Sequence, residues 1–129
     1  QIRIRLAESL KWIACQRLLP QVGGGRVAAF EILGSNLRVK DTILHGESEG
    51  KTFYEMIEQG RTFGMMTFDQ CIADLYKDGF ITDETAMSYA SRKAVVGRAI
   101  DAIKAQRGEK TTSIEDLSMD KEYAKKLKK

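Results

Sequence analysis

Apolar positions recur along most of the chain at helical spacing, and glycines and a lone proline cut the pattern into short pieces. Leu6, Leu10, Ile13 and Leu18 fall on one face of an amphipathic helix, with Arg3, Arg5, Lys11 and Arg17 among its solvated positions. That helix is expected to stop before Pro20, because a proline disfavours helical geometry in the residue ahead of it. Gly23, Gly24 and Gly25 then supply a turn. The run from Arg26 to Leu33 is short and largely apolar, has β-branched and aromatic members, and is bounded by Gly25 and Gly34. This predicts a strand buried on both faces. The stretch from Leu18 to Val22 is a candidate antiparallel partner across the glycines, with Pro20 keeping it at an edge.

From Leu37 onward the pattern is helical. Val39, Ile43 and Leu44 mark a short helix closed by Gly46, and Phe53, Met56 and Ile57 mark a second closed by Gly60. Thr67 is placed to cap a third, with Gln70 in capping-box position, Phe68, Ile72, Leu75 and Tyr76 on one face, and Gly79 at the end. Thr82 opens a helix through Tyr89, and Asp83 and Glu84 in its first turn complement the dipole. Ser91 is expected to cap a final helix in which Val95, Val96, Ala99, Ile100 and Ile103 share a side, ending near Gly108. Beyond it the composition turns to mixed charge with lysines at the end, which predicts a disordered or loosely docked tail. No internal repeat of solenoid length is present.

Composition narrows the class. A chain of 129 residues, 43% hydrophobic and 30% charged, has the apolar content for one ordinary globular domain. Two cysteines cannot build a disulfide framework or a four-thiolate zinc site, which points to free thiols in a reduced compartment. No apolar run approaches the roughly 18 residues needed to cross a bilayer, and no signal-peptide pattern is present. A net charge of +3 is too small to argue for nucleic acid. The chain opens at Gln1 and runs straight into helical spacing, which suggests a segment of something longer.

Several motifs invite a chemical reading. Gly46-Glu47-Ser48-Glu49-Gly50-Lys51-Thr52 ends like a phosphate-binding loop, yet three residues separate its glycines where four are needed to wrap a phosphate with backbone N–H groups. It also follows a helix rather than a strand, and Glu47 and Glu49 would oppose an anion, so it is expected to be a helix-to-helix connection. Gly23-Gly24-Gly25 precedes a strand and is expected to be a hairpin turn. His45, the single histidine, sits where a helix ends and has no metal-ligand partners at suitable spacing. Cys15 and Cys71 lack a paired histidine and are expected to be buried small hydrophobes, and Met65-Met66 to fill core. Glu31 lies in an apolar strand, where a carboxylate needs a partner or an edge. Arg26 is one candidate partner, and a residue beyond this segment is another. Residue chemistry alone assigns no catalytic residue and no metal site.

Three stretches in order resemble a known family. Leu6-Ala7-Glu8-Ser9-Leu10, Gln16-Arg17-Leu18-Leu19 and Gly24 to Leu33 look like the C-terminal part of a type IV pilus retraction ATPase of the PilT/PilU group. Gly64-Met65-Met66-Thr67-Phe68-Asp69-Gln70 resembles that family's Gly-Met-x-Thr-hydrophobic-Asp segment, and Leu75 to Ile81 resembles the stretch that follows it. The likeness is collinear from about Ile2 to Tyr89. Extension and type II secretion ATPases usually carry a tetracysteine zinc module just before the strand, whereas only Cys15 stands in that region here, which favours the retraction branch.

The resemblance implies a mostly α chain with a small β element. Residues 1–36 would end a RecA-like α/β P-loop ATPase domain as a helix plus strand or hairpin, 37–108 would form a C-terminal helical bundle, and 109–129 a polar, flexible tail. The family's Walker A loop, acidic boxes and histidine box lie upstream of the matching region, so no catalytic residue carries over and the segment alone is expected to be inactive. The resemblance implies ATP and Mg2+ for the parent, a homohexamer, and contacts with an inner-membrane pilus platform protein and a paralogous pilus ATPase, with no nucleic acid. It also implies a cytoplasmic, peripheral location at the inner face of the bacterial inner membrane. Arg26 and Glu31 are the implied nucleotide-proximal residues. The family's retraction motif, Ala-Ile-Arg-Asn-Leu-Ile-Arg-Glu, falls on Arg38 to His45: Val39, Lys40, Asp41 and Ile43 stand where Ile, Arg, Asn and Ile are expected, while Arg38, Thr42, Leu44 and His45 depart. A stand-alone helical module that binds a partner protein through an apolar groove is the competing expectation.

Overall fold

The computed structural model describes residues 1–109 and residue 111. The described residues are mostly helical with one two-stranded antiparallel sheet. In order it runs α1 (Ile2–Ser9), β1 (Trp12–Pro20), β2 (Arg26–Gly34), α2 (Leu37–His45) and α3 (Phe53–Gln59), then a 3-10 turn (Arg61–Phe63), α4 (Phe68–Lys77), α5 (Asp83–Tyr89) and α6 (Lys93–Gln106). Most of the polar tail expected from residue 109 lies outside the described residues.

The first expectation to change is the long N-terminal helix. It ends at Ser9, Leu10 is already extended, and Ile13 and Leu18 belong to β1. The apolar spacing fits a helix face, but Ile13, Cys15, Arg17 and Leu19 also alternate onto one face of a strand. Pairing with β2, from Trp12 opposite Gly34 to Pro20 opposite Arg26, decides between the two patterns. A helix here would forgo that ladder. Pro20, lacking an N–H, stands at the last position of β1, where the missing donor costs little. The hairpin reverses through Gly23, Gly24 and Gly25, all at positive φ (85°, 108° and 75°), a region L side chains rarely enter. The expected turn is therefore present.

The second correction concerns β2. One face of the hairpin, carrying Leu19, Ala29 and Leu33, is buried against helices. The other carries Leu18 and Phe30, which are 47% and 39% exposed, so the strand is not buried on both faces. Beyond β2 the sheet continues for a single bridge. Ile32 and Met66 exchange backbone hydrogen bonds of 2.8 and 3.1 Å, which fixes the loop that launches α4.

Helix α4 is the hub. Thr67 accepts the Gln70 N–H at 3.0 Å while the Gln70 side chain accepts the Thr67 N–H at 3.1 Å, the reciprocal cap anticipated from the sequence. Its fully buried Ile72 joins Leu19 and Ala29 of the hairpin to Val96 and Ile100 of α6. Burying a side chain of that size stabilises by roughly 1.5–3 kcal/mol. A second cluster, Leu33, Val39, Met56, Ile57 and Met65, ties β2 to α2 and α3. Met65 fills core as expected, and Met66 packs half-buried against the first cluster. Helices α2, α3 and α5 begin at Asn36, Thr52 and Thr82, whose side chains accept from the N–H three residues on. Ser91 does not cap α6. Arg92 holds that position, and the N–H groups of both residues go instead to a carboxylate on α4.

Candidate functional site

Glu31 lies half-buried in β2, opposite Cys15. Its Oε2 accepts the Phe68 N–H at 3.1 Å, so its partner is the N-terminal turn of α4, where a carboxylate opposes the positive end of the dipole. Arg26 is not that partner. It stands five residues earlier on the same strand, at an odd spacing that places it on the other face of the sheet, and it is exposed. The structure does not bring the two residues together.

Around Glu31 opens an apolar groove of about 310 Å³, walled by Leu6 and Leu10 from α1, Ile13 and Cys15 from β1, and Phe53 and Ile57 from α3. Cys15 is exposed there, which overturns its expected burial. Cys71 is buried, and its Sγ accepts the Phe30 N–H at 3.4 Å. The groove presents one carboxylate, already hydrogen-bonded, and one thiol without a base. Its chemistry is that of a packing surface rather than a reaction centre.

The residues expected from the resemblance to stand at the retraction motif, Val39 to His45, lie on α2 and divide by face. Val39 is fully buried and Ile43 packs against the same cluster, whereas Lys40 is half-exposed and Asp41 and His45 are exposed. Leu44 is half-buried. Asp41 Oδ1 and His45 Nε2 lie 3.6 Å apart one turn from each other, with His45 at the helix end as anticipated. The following loop is the helix-to-helix connection expected from its sequence. Ser48 bridges to Lys51, and Glu47 Oε1 accepts the Phe53 N–H at 2.8 Å at the start of α3, where a phosphate would have to sit. The residues present do not fit an ATP phosphate.

A polar node around Asp69 went unnoticed in the sequence. Asp69 is 1% exposed, and its two oxygens accept from Tyr54 Oη at 2.8 Å, Ser91 N–H at 2.7 Å and Arg92 N–H at 3.0 Å. The Arg92 guanidinium lies 3.7 Å from the centre of the Tyr54 ring. Burial first, then the bond to Asp69 and that residue's charge, push the Tyr54 phenol well above its ordinary value. Nearby, Arg17 stacks 4.1 Å over Phe68 and reaches the Ser91 hydroxyl at 3.4 Å. One carboxylate thus joins α3, α4 and the start of α6. An acidic residue just after a helix N-cap was a visible signal, but its partners lie 15 to 23 residues away in sequence.

Three known proteins are similar to this chain in sequence. The chain is 36% identical over 89 residues to the type IV pilus retraction ATPase PilT of Pseudomonas aeruginosa, covering 69% of this chain and 25% of that protein. It is 36% identical over 86 residues to a twitching motility protein of Neisseria gonorrhoeae, covering 66% and 22%. It is 35% identical over 91 residues to the type IV pilus ATPase PilU of P. aeruginosa, covering 70% and 23%. The chain therefore spans about a quarter of the length of the curated relatives it matches. Among solved structures, the pilus retraction motor PilT with bound ADP superposes with a TM-score of 0.56 at 35% identity, over 76% of this chain and 26% of that one. The Legionella pneumophila ATPase DotB superposes at 0.51 and 20% identity, over 67% and 23%, a likeness of fold alone. No known family model matches the chain.

Proposed function

We propose, starting from this chain's homology to the PilT and PilU pilus ATPases, that it forms the C-terminal portion of a motor that hydrolyses ATP with Mg2+ to retract type IV pili and drive twitching. In this reading residues 1–36 close a RecA-like motor domain, 37–108 form the helical bundle beside it, and six copies assemble into a ring. The ring works at the inner face of the bacterial inner membrane against a pilus platform protein, alongside a paralogous pilus ATPase. No helix among the described residues is long and apolar enough to cross a membrane, which is compatible with peripheral placement.

The observation that carries the reading is the collinear identity joined to an unfinished hairpin. Among the described residues β1 pairs with β2 alone, so one edge of the sheet is open and one face shows Leu18 and Phe30 to solvent. A larger sheet and its covering helices would satisfy both. Arg26 and Glu31 are then the residues of this segment closest to nucleotide, and Val39, Lys40, Asp41, Ile43, Leu44 and His45 take the place of the retraction motif. This chain contributes packing and subunit contacts, and no step of hydrolysis is assigned to its residues.

The test places this chain and the longer protein side by side in one Mg2+ buffer and measures ATP binding and hydrolysis. Hydrolysis by the longer protein with silence from this chain is the expected outcome. Tight ATP binding by this chain alone, or a longer protein that never hydrolyses ATP, would contradict the reading.

A further inference from the structure

Trp12, the single tryptophan, opens β1 and is 59% exposed. Its ring lies across Gly34, the residue paired with it on β2, so closely that a Cβ there would meet ring carbon Cζ3 at 2.6 Å. The ring therefore lies against the Gly34 backbone while more than half of the residue stays open to solvent. Two clefts share it as a wall. One, of about 280 Å³, runs towards Phe63, which is 74% exposed, and the other, of about 310 Å³, runs towards Leu37, which is 84% exposed. Lys11 and Lys40 line the second cleft, and no carboxylate lines either. Neither lysine forms an ion pair among the described residues.

Exposed aromatic side chains beside a rigid backbone, flanked by unpaired cations, have the make-up of an interface hot spot rather than of ordinary surface. We propose that this patch docks an acidic segment of a partner protein that carries an apolar or aromatic anchor. The anchor stacks on Trp12 and enters the cleft beside Phe63, while carboxylates meet Lys11 and Lys40. Charge decides the class of partner: the cleft walls are cationic and uncontested, so a basic or neutral segment gains nothing there. A lipid surface fits less well. The Trp12 ring lies against Gly34 rather than projecting outward, and two lysines fall short of the cluster of about four to eight cations that anionic membranes select. The proposal goes beyond the motor reading and concerns the Trp12–Gly34 end of the hairpin, away from Leu18 and Phe30.

Trp12 fluorescence reads the site directly. The probe is a short synthetic peptide of Glu and Asp around one Phe, and the controls are the same peptide with Lys for the acids, vesicles containing phosphatidylglycerol, and a single-stranded oligonucleotide. Saturable change with the acidic peptide, weakened by salt, is expected, with affinity falling at least about tenfold in Lys11→Glu/Lys40→Glu and in Phe63→Ala. None of these positions is buried, so the fold is expected to stay intact, which circular dichroism checks. An equal response to the Lys peptide would overturn the proposal, as would preferential response to vesicles or oligonucleotide. A concentration-dependent shift of the protein alone that the acidic peptide cannot displace would also overturn it, by assigning the patch to a second copy of the chain.

Discussion

The hairpin and the helices behind it solve the same problem to different degrees. Around α4, apolar side chains from four elements close over Ile72, the helix start is reciprocally capped, and the buried carboxylate of Asp69 has three donors. In β1, by contrast, Leu19 alone is buried, and Ile13 and Leu18 stand open to solvent. Both regions are equally apolar in sequence, so the difference lies in what covers them. A segment whose local propensities and packing agree is finished as it stands, whereas one with an open edge and a bare face keeps unpaired backbone groups and exposed apolar side chains.

The sharpest way to break that contrast is a cavity in the finished half. Ile72→Ala should cost about 2–5 kcal/mol in urea unfolding, because the packed helices around it cannot collapse into the space. Loss of under about 1 kcal/mol would mean the α4 core is loosely packed. Next comes the node: Asp69→Ala leaves the Ser91 and Arg92 N–H groups and the Tyr54 hydroxyl without their acceptor, at about 1–3 kcal/mol. It should also let the Tyr54 phenol ionise at lower pH, visible in an ultraviolet titration. An unchanged phenol titration would mean Asp69 does not hold it.

A smaller effect concerns the pair that joins α5 to α6. Lys104 Nζ bonds Asp83 Oδ2 at 2.8 Å, and this bond, ahead of other influences, lowers the Asp83 carboxyl below its ordinary 3.8 and raises the Lys104 ammonium above 10.5. The sign follows. Asp83 contributes stability above its unfolded value and loses it as pH falls through the depressed folded one. Lys104 contributes below its unfolded value and loses it as pH rises through the raised folded one. Because the carboxylate is nearly half exposed, screening keeps the pair under about 1 kcal/mol. Asp83→Asn should remove that increment at pH 7 and flatten the acid limb of the stability profile, whereas a larger loss would mean that Asp83 supports more than the ion pair.

The smallest stability effect belongs to the unfinished half. Leu18→Ser should change unfolding by about 0.5 kcal/mol, since the side chain is 47% exposed and belongs to neither buried cluster. The same change should reduce self-association seen by size exclusion with light scattering at high concentration. A strict monomer before substitution would argue that the open edge is not adhesive.

The helical half was legible because its signals are local. Thr67 with Gln70, Thr82 with its acidic first turn, and the glycines after α2, α3 and α4 punctuate within a few residues. The strand begins earlier than the Leu18 to Val22 partner expected across the glycines, because Leu10, Ile13 and Leu18 fit a helical period while Ile13, Cys15 and Leu19 fit a strand's alternation, and the arbiter is a partner strand beyond the hairpin turn. The same limit hid the candidate site. Glu31 announced that it needed a partner, but the Phe68 N–H lies 37 residues on, and the convergence of Tyr54, Ser91 and Arg92 on Asp69 exists only once α3, α4 and α6 have docked.

Amide hydrogen exchange followed residue by residue tests the contrast most directly. The expected result is strong protection through α4 and α6, with rapid exchange at those amides of β1 that do not donate to β2. Uniform protection across β1, matching that of α4, would contradict the claim that this edge of the sheet stands open.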